Sequence, residues 1–143
     1  MNTLRIWGGG IYEPDHFYEL CDEMGIMVWQ DFMFACSMYP ADESFLKSVK
    51  REARYQVERL KSHASIILWC GNNEVASGWL SWGWKEELPG SIWEDYRKLF
   101  HELLPKVCNE LDPQRLYWPS SPCHGTDQSN QDQIYGKGDN HYW

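Results

Sequence analysis

The sequence predicts an α/β protein built of βαβ units that make up part of an eight-stranded β/α (TIM) barrel, and three observations lead there. Short apolar runs alternate with stretches at helical spacing, a pattern that implies a parallel sheet buried on both faces. Each apolar run ends in polar or glycine residues before the next helix, which is where a barrel keeps its chemistry. An open doubly wound sheet would announce a nucleotide site with a G-x-G-x-x-G turn, and Gly8-Gly9-Gly10 fits neither that spacing nor the Walker pattern.

The elements follow in order. Residues 4–7 form a first apolar run, and the glycines after it permit a tight, close-packed turn. Pro14 opens a helix that runs to Met24 and is closed by Gly25. Residues 26–29 are a second strand, ending in Gln30-Asp31. Phe45, Leu46, Val49, Ala53, Val57 and Leu60 recur at helical spacing, so a long amphipathic helix spans about residues 42–61. A third strand over residues 66–69 leads into Gly71-Asn72-Asn73-Glu74, and a Gly- and Trp-rich loop follows. Ser91-Ile92-Trp93-Glu94 reads as a capping box, and Pro105 should kink or divide the helix it opens. Residues 116–118 are a fourth strand. A polar stretch then reaches Asn140, and His141-Tyr142-Trp143 looks like the start of a fifth.

At 143 residues the chain can hold one core. A complete barrel needs about 250 residues, so residues 1–143 read as a segment of a larger barrel domain. Half a barrel leaves strand edges and an apolar face uncovered, and self-association, swapping or partial disorder is the expectation. The net charge of -8, with no basic stripe, argues against nucleic acid as a partner. Nine tryptophans suit a Trp-rich core, or flat faces on which the C–H surfaces of a sugar can pack. The five cysteines contain no C-x-x-C pair, cannot all pair internally, and read as buried free thiols. Histidine spacing supports no metal site, and no cofactor is implied. The sequence shows no signal peptide and no apolar run of membrane-spanning length, so it argues against a membrane and leaves cytoplasm, periplasm and lysosome open.

Glu74 is the first candidate for chemistry. A carboxylic acid buried at a strand end can stay protonated near neutral pH, as a general acid must. Asn73 beside it can donate to a substrate hydroxyl. Taken alone an Asn-Glu pair is weak evidence, since most glutamates are solvated surface charges.

Longer motifs surround the pair. The runs Leu4-Arg5-Ile6-Trp7-Gly8-Gly9-Gly10-Ile11-Tyr12-Glu13, Val28-Trp29-Gln30-Asp31-Phe32-Met33-Phe34-Ala35-Cys36 and Trp69-Cys70-Gly71-Asn72-Asn73-Glu74 resemble consecutive strand motifs of the β-mannosidases of glycoside hydrolase family 2. The resemblance covers most of the chain, in order, and implies roughly strands two to six of the barrel with their helices. It implies retaining hydrolysis of terminal β-linked mannose on an oligosaccharide or glycan. Glu74 would be the general acid/base and Asn73 would bind the 2-hydroxyl. Arg5 would orient the nucleophile, and Trp7 would pack against the sugar. Asp31, Trp82, His141 and Tyr142 are further substrate-binding candidates from adjoining strand ends and loops.

Each has a plainer reading. Arg5 could be a buried ion-pair residue, Trp7 and Trp82 core or lid packing, and Asp31 a brace for loop backbone. A retaining site also needs a second carboxyl about 5–5.5 Å away. The resemblance implies a nucleophilic Glu near the seventh strand, outside these residues. Two alternatives therefore stay open: an inactive structural or weakly sugar-binding piece, and a β-galactosidase- or β-glucuronidase-like relative with the same mechanism.

Overall fold

A computed structural model of the chain describes residues 1–123 and 138–142. Four strands, β1 (Thr3–Ile6), β2 (Met27–Asp31), β3 (Ile66–Cys70) and β4 (Leu116–Trp118), pair in parallel and in chain order. Ile6 lies opposite Gln30, Gln30 opposite Trp69, and Cys70 opposite Trp118. The C-terminal strand ends are therefore level, and the residues after them open along one edge.

The crossovers are helical. Helix α1 (Asp15–Met24) starts at Pro14, whose fixed φ suits the entry, and ends at Gly25 with φ 66°, the left-handed cap that glycine takes without strain. Helix α2 (Glu43–Leu60) is capped by Asp42, whose carboxylate accepts from the amides of Ser44 and Phe45. Its buried stripe is Val49, Ala53, Val57 and Leu60, as the periodicity requires.

Three expectations need correction. The Trp-rich stretch after Glu74 is not a loop: it forms α3 (Val75–Ser81) and α4 (Trp84–Glu87). Asn72 Oδ1 accepts from the Val75 amide, and the absence of a Cβ at Gly78 lets the Trp84 ring lie against it; an ideal Cβ there would sit 2.3 Å from that ring. Next, Ser91 does not cap. Helix α5 (Ser91–Arg97) begins after Gly90, which already has helical dihedrals, so Ser91 lies inside the helix. Pro105 does divide the next helix, through a wide π-helical segment, Lys98–Leu103, before α6 (Leu104–Leu111). Proline lacks the amide for an i−4 bond and crowds that carbonyl, and the wider turn accommodates it. Finally, His141 and Tyr142 form no strand, while Trp143 and residues 124–137 lie outside the described residues. Asp139 instead bridges Cys123 antiparallel, tied across the end of β4 by hydrogen bonds from Trp118 Nε1, Ser121 Oγ and the Cys123 amide.

The core lies between the sheet and its helices, with Tyr18, Val28, Phe32, Leu60, Trp69, Phe100 and Leu104 all but inaccessible. All five thiols are free, but only Cys21, Cys70 and Cys108 are buried; Cys36 is exposed and Cys123 partly so, because both sit on loops beyond the strands. Among the described residues no helix is long and apolar enough to cross a membrane.

Candidate active site

Pairing continues one step past the strands and fixes the backbone of residues 72–74. The Asn73 amide donates to Phe34 O at 2.9 Å, and the Cys36 amide donates to Asn73 O at 2.9 Å. On the other side, the Glu74 amide donates to Ser121 O at 2.8 Å and Ser121 donates to Asn72 O at 2.9 Å. Asn72 is wholly buried: its amide donates to Pro119 O, while its Oδ1 accepts from Val75 N and Ser120 Oγ. Held in this way, Glu74 takes φ 58° and Cys36 takes φ 46°. That left-handed conformation costs a non-glycine residue about 1–2 kcal/mol. Such strain persists where the surroundings over-determine it, and it concentrates at functional positions.

The side chains converge from four strand ends. Glu74 Oε1 is 2.9 Å from His141 Nδ1. Its Oε2 has only longer contacts, 3.4 Å from Asn73 Nδ2 and 3.5 Å from Cys36 Sγ. Arg5 Nη2 donates to Asn73 Oδ1 at 3.1 Å, which fixes the amide orientation, since a guanidinium can only donate. Asn73 Nδ2 is thereby turned toward Cys36 Sγ and Glu74. Burial, with the hydrogen bond to Glu74, pushes the Cys36 thiol up, so it stays an S–H at neutral pH.

Beneath the cluster lies the Asp31 carboxylate, fully inaccessible. It accepts from Arg5 Nη2 at 2.8 Å, Arg5 Nε at 3.2 Å, the Gly8 amide at 2.9 Å and Trp29 Nε1 at 2.9 Å. Burial alone would lower the Arg5 pKa, but the hydrogen bond and charge of Asp31 outweigh it and hold the guanidinium above its ordinary value. Gly8 is required here, because a Cβ would stand 2.4 Å from Phe34 O.

An open cleft of about 540 Å³ is lined by Arg5, Trp7, Cys36, Asn73, Glu74, His141 and Tyr142. Six of the residues anticipated from sequence thus come together. Trp7 is half exposed and Tyr142 is 91% exposed, so both offer free ring surface. Asp31 does not reach the cleft; it braces Arg5 and the Gly8 turn. Trp82 does not line it either, and packs edge-on against Trp84. Sequence reasoning singled out neither Cys36 nor Ser121 and Asp139, although Cys36 stood inside a quoted motif. Among the described residues Glu74 is the one carboxylate lining the cleft, and no three His, Cys, Asp or Glu side chains form a metal site.

No protein-family model matches the chain. Among curated proteins, the β-mannosidase of Capra hircus is 53% identical over 128 residues, which cover 87% of this chain and 14% of that protein. The β-mannosidase B of Neosartorya fischeri is 41% identical over 147 residues, covering 98% and 17%. The chain therefore spans only 14% to 17% of the length of these relatives. The crystal structure of the β-D-mannosidase from Dictyoglomus thermophilum superposes with a TM-score of 0.79 at 53% identity, over 89% of this chain and 15% of that one. The β-glucuronidase 2 of Bacteroides uniformis, at 22% identity and a TM-score of 0.63, shares the fold alone.

Proposed function

The chain belongs, over most of its length, to the β-mannosidases, and from that premise we propose that it is a segment of a β/α barrel domain carrying the acid/base half of a retaining β-mannosidase site. Parallel strands that each lie beside their predecessor support the barrel reading. The parent protein would remove terminal non-reducing β-D-mannose from an oligosaccharide or glycan.

One observation carries the role of Glu74: a strained, nearly buried carboxyl at a strand end, one oxygen held at 2.9 Å and the other left with long contacts beside a cleft. Oε2 is the oxygen able to protonate a departing glycosidic oxygen and later to take a proton from water. Asn73 Nδ2, its orientation set by Arg5, is the donor for the sugar's 2-hydroxyl. Trp7 and Tyr142 offer the sugar their ring faces. Arg5 would also orient the second carboxylate that retention requires.

The test is Glu74→Ala in the intact enzyme containing this chain. Hydrolysis of a mannoside with a poor leaving group should fall by about 10²–10⁴, while an aryl mannoside with an activated leaving group should still transfer its sugar to the enzyme. Near wild-type rates on both would remove Glu74 from the mechanism.

A second reading concerns the chain by itself. With one carboxylate lining the cleft among the described residues, it would bind sugar at most weakly and turn nothing over. Incubation with a chromogenic β-mannoside decides this, and Glu74-dependent release of chromophore would refute it.

A further inference from the structure

His141 is the one anticipated substrate contact whose ring nitrogens are both engaged by protein, and the donors around it decide where its proton sits. Arg5 Nη1 lies 3.1 Å from His141 Nε2 and carries only hydrogens. Nε2 must therefore offer its lone pair. The single proton of the neutral ring then belongs to Nδ1, 2.9 Å from Glu74 Oε1. Ser121 Oγ is also 2.9 Å from Nε2, but a hydroxyl can turn either way, and it has a second outlet 2.5 Å away at Asp139 Oδ2. The guanidinium cannot turn its polarity, and Asp31 holds it by two of its nitrogens.

We propose that Arg5 locks His141 as the neutral Nδ1–H tautomer, and that this N–H occupies Glu74 Oε1 so that the acid proton is carried on Oε2. An oxygen that accepts a short hydrogen bond is a poor place for a proton of its own, whereas Oε2 meets only the contacts of 3.4 and 3.5 Å to Asn73 and Cys36. His141 is thus a positioning residue. It selects which oxygen of Glu74 delivers the proton, and touches the sugar at most secondarily. Sequence separation hides the arrangement, since 67 residues part His141 from Glu74 and 136 part it from Arg5.

The inference rests on Glu74 being the acid, and the test separates the two. The first arm uses the chain with 15N-labelled histidine at neutral pH, with His141 assigned through His141→Asn. Long-range 15N–1H correlation should show a protonated Nδ1 and a bare Nε2. A protonated Nε2, in the other tautomer or in an imidazolium, overturns the proposal. Arg5→Lys keeps a cation for Asp31 but gives up the second nitrogen that faces Nε2, and should move the ring toward Nε2–H. Ser121→Ala should leave the tautomer unchanged; a switch there would assign the lock to Ser121 instead. This arm needs no turnover, so it stands or falls apart from any role of Glu74 in hydrolysis. The second arm measures hydrolysis of a poor-leaving-group mannoside by the intact enzyme. His141→Leu should lose about a hundredfold in kcat, while His141→Asn, whose amide can replace Nδ1–H, should recover most of it. Equal rates in both variants refute the positioning role even where the tautomer is as stated.

Discussion

Asp31→Ala is the sharpest perturbation of the site's foundation. Asp31 is inaccessible to solvent and gathers the side-chain N–H groups of Arg5 and Trp29 and the backbone amide of Gly8. Truncation leaves a guanidinium without its counter-charge and two further donors without an acceptor. Breaking one partner from a buried ion pair costs about 3–5 kcal/mol. The Arg5 side chain is 28% exposed, and water can take up part of that loss, so the lower end, about 3 kcal/mol, applies. At roughly 2.1 cal/mol/K per residue, a chain of 143 residues unfolds with an entropy near 0.3 kcal/mol/K, and 3 kcal/mol becomes a fall in Tm of about 10 °C. Thermal melts followed by circular dichroism at fixed concentration measure it. Asp31→Asn keeps the shape and one acceptor and should fall in between. An alanine variant melting within about 3 °C of wild type would show that the network does not stabilise the fold, and the account of Arg5 as a braced hub would fail with it.

Three other outcomes are expected. Gly9 has no Cβ because one would lie 2.2 Å from the Trp7 ring; Gly9→Ala should displace that ring, raise KM for mannosides in the intact enzyme severalfold, and barely move the Tm of the chain, whereas an unchanged KM would deny Trp7 a role in binding. Burial first, then the charge of Arg97, pulls the His101 imidazole down to about 4. The unfolded chain, with an ordinary histidine value of about 6.5, then binds a proton that the folded chain refuses, so stability should fall as pH drops from about 6.5 to 4 and level off below. An NMR titration of His101 with a midpoint above 6 would contradict this, and His101→Gln should flatten that limb of the stability curve. Lastly, β1 and β4 each pair on one side only, and Leu116 is half exposed on an edge; sedimentation velocity should show the chain associating as concentration rises, and a single monomer at every concentration would contradict it.

Much of the fold was legible because its elements obey local rules. The stripe of α2 repeats at helical spacing because one face alone is buried, and Gly25 stops α1 because its φ of 66° suits glycine. Helix α3 was illegible for the converse reason. Val75 through Trp79 are all buried, so no polar face marks a period, and Gly78 reads as a breaker until the Trp84 ring is seen against it. The capping box failed because cap chemistry depends on the dihedrals of the preceding residue, and Gly90 is already helical.

The sequence by itself determined the kinship, the α/β alternation and the residues Arg5, Trp7, Asn73 and Glu74, because each lies in a contiguous motif at a strand end. Only the tertiary structure decided their partnerships. It drew Asp31 under Arg5 and away from the cleft, brought His141 onto Glu74 across 67 residues, and added Cys36, Ser121 and Asp139 from loops. The physical reason is that a hydrogen bond is decided within about 3 Å, while sequence fixes only which strand end a residue occupies. Parallel register made those ends level, and that levelling selected which donors meet which acceptors.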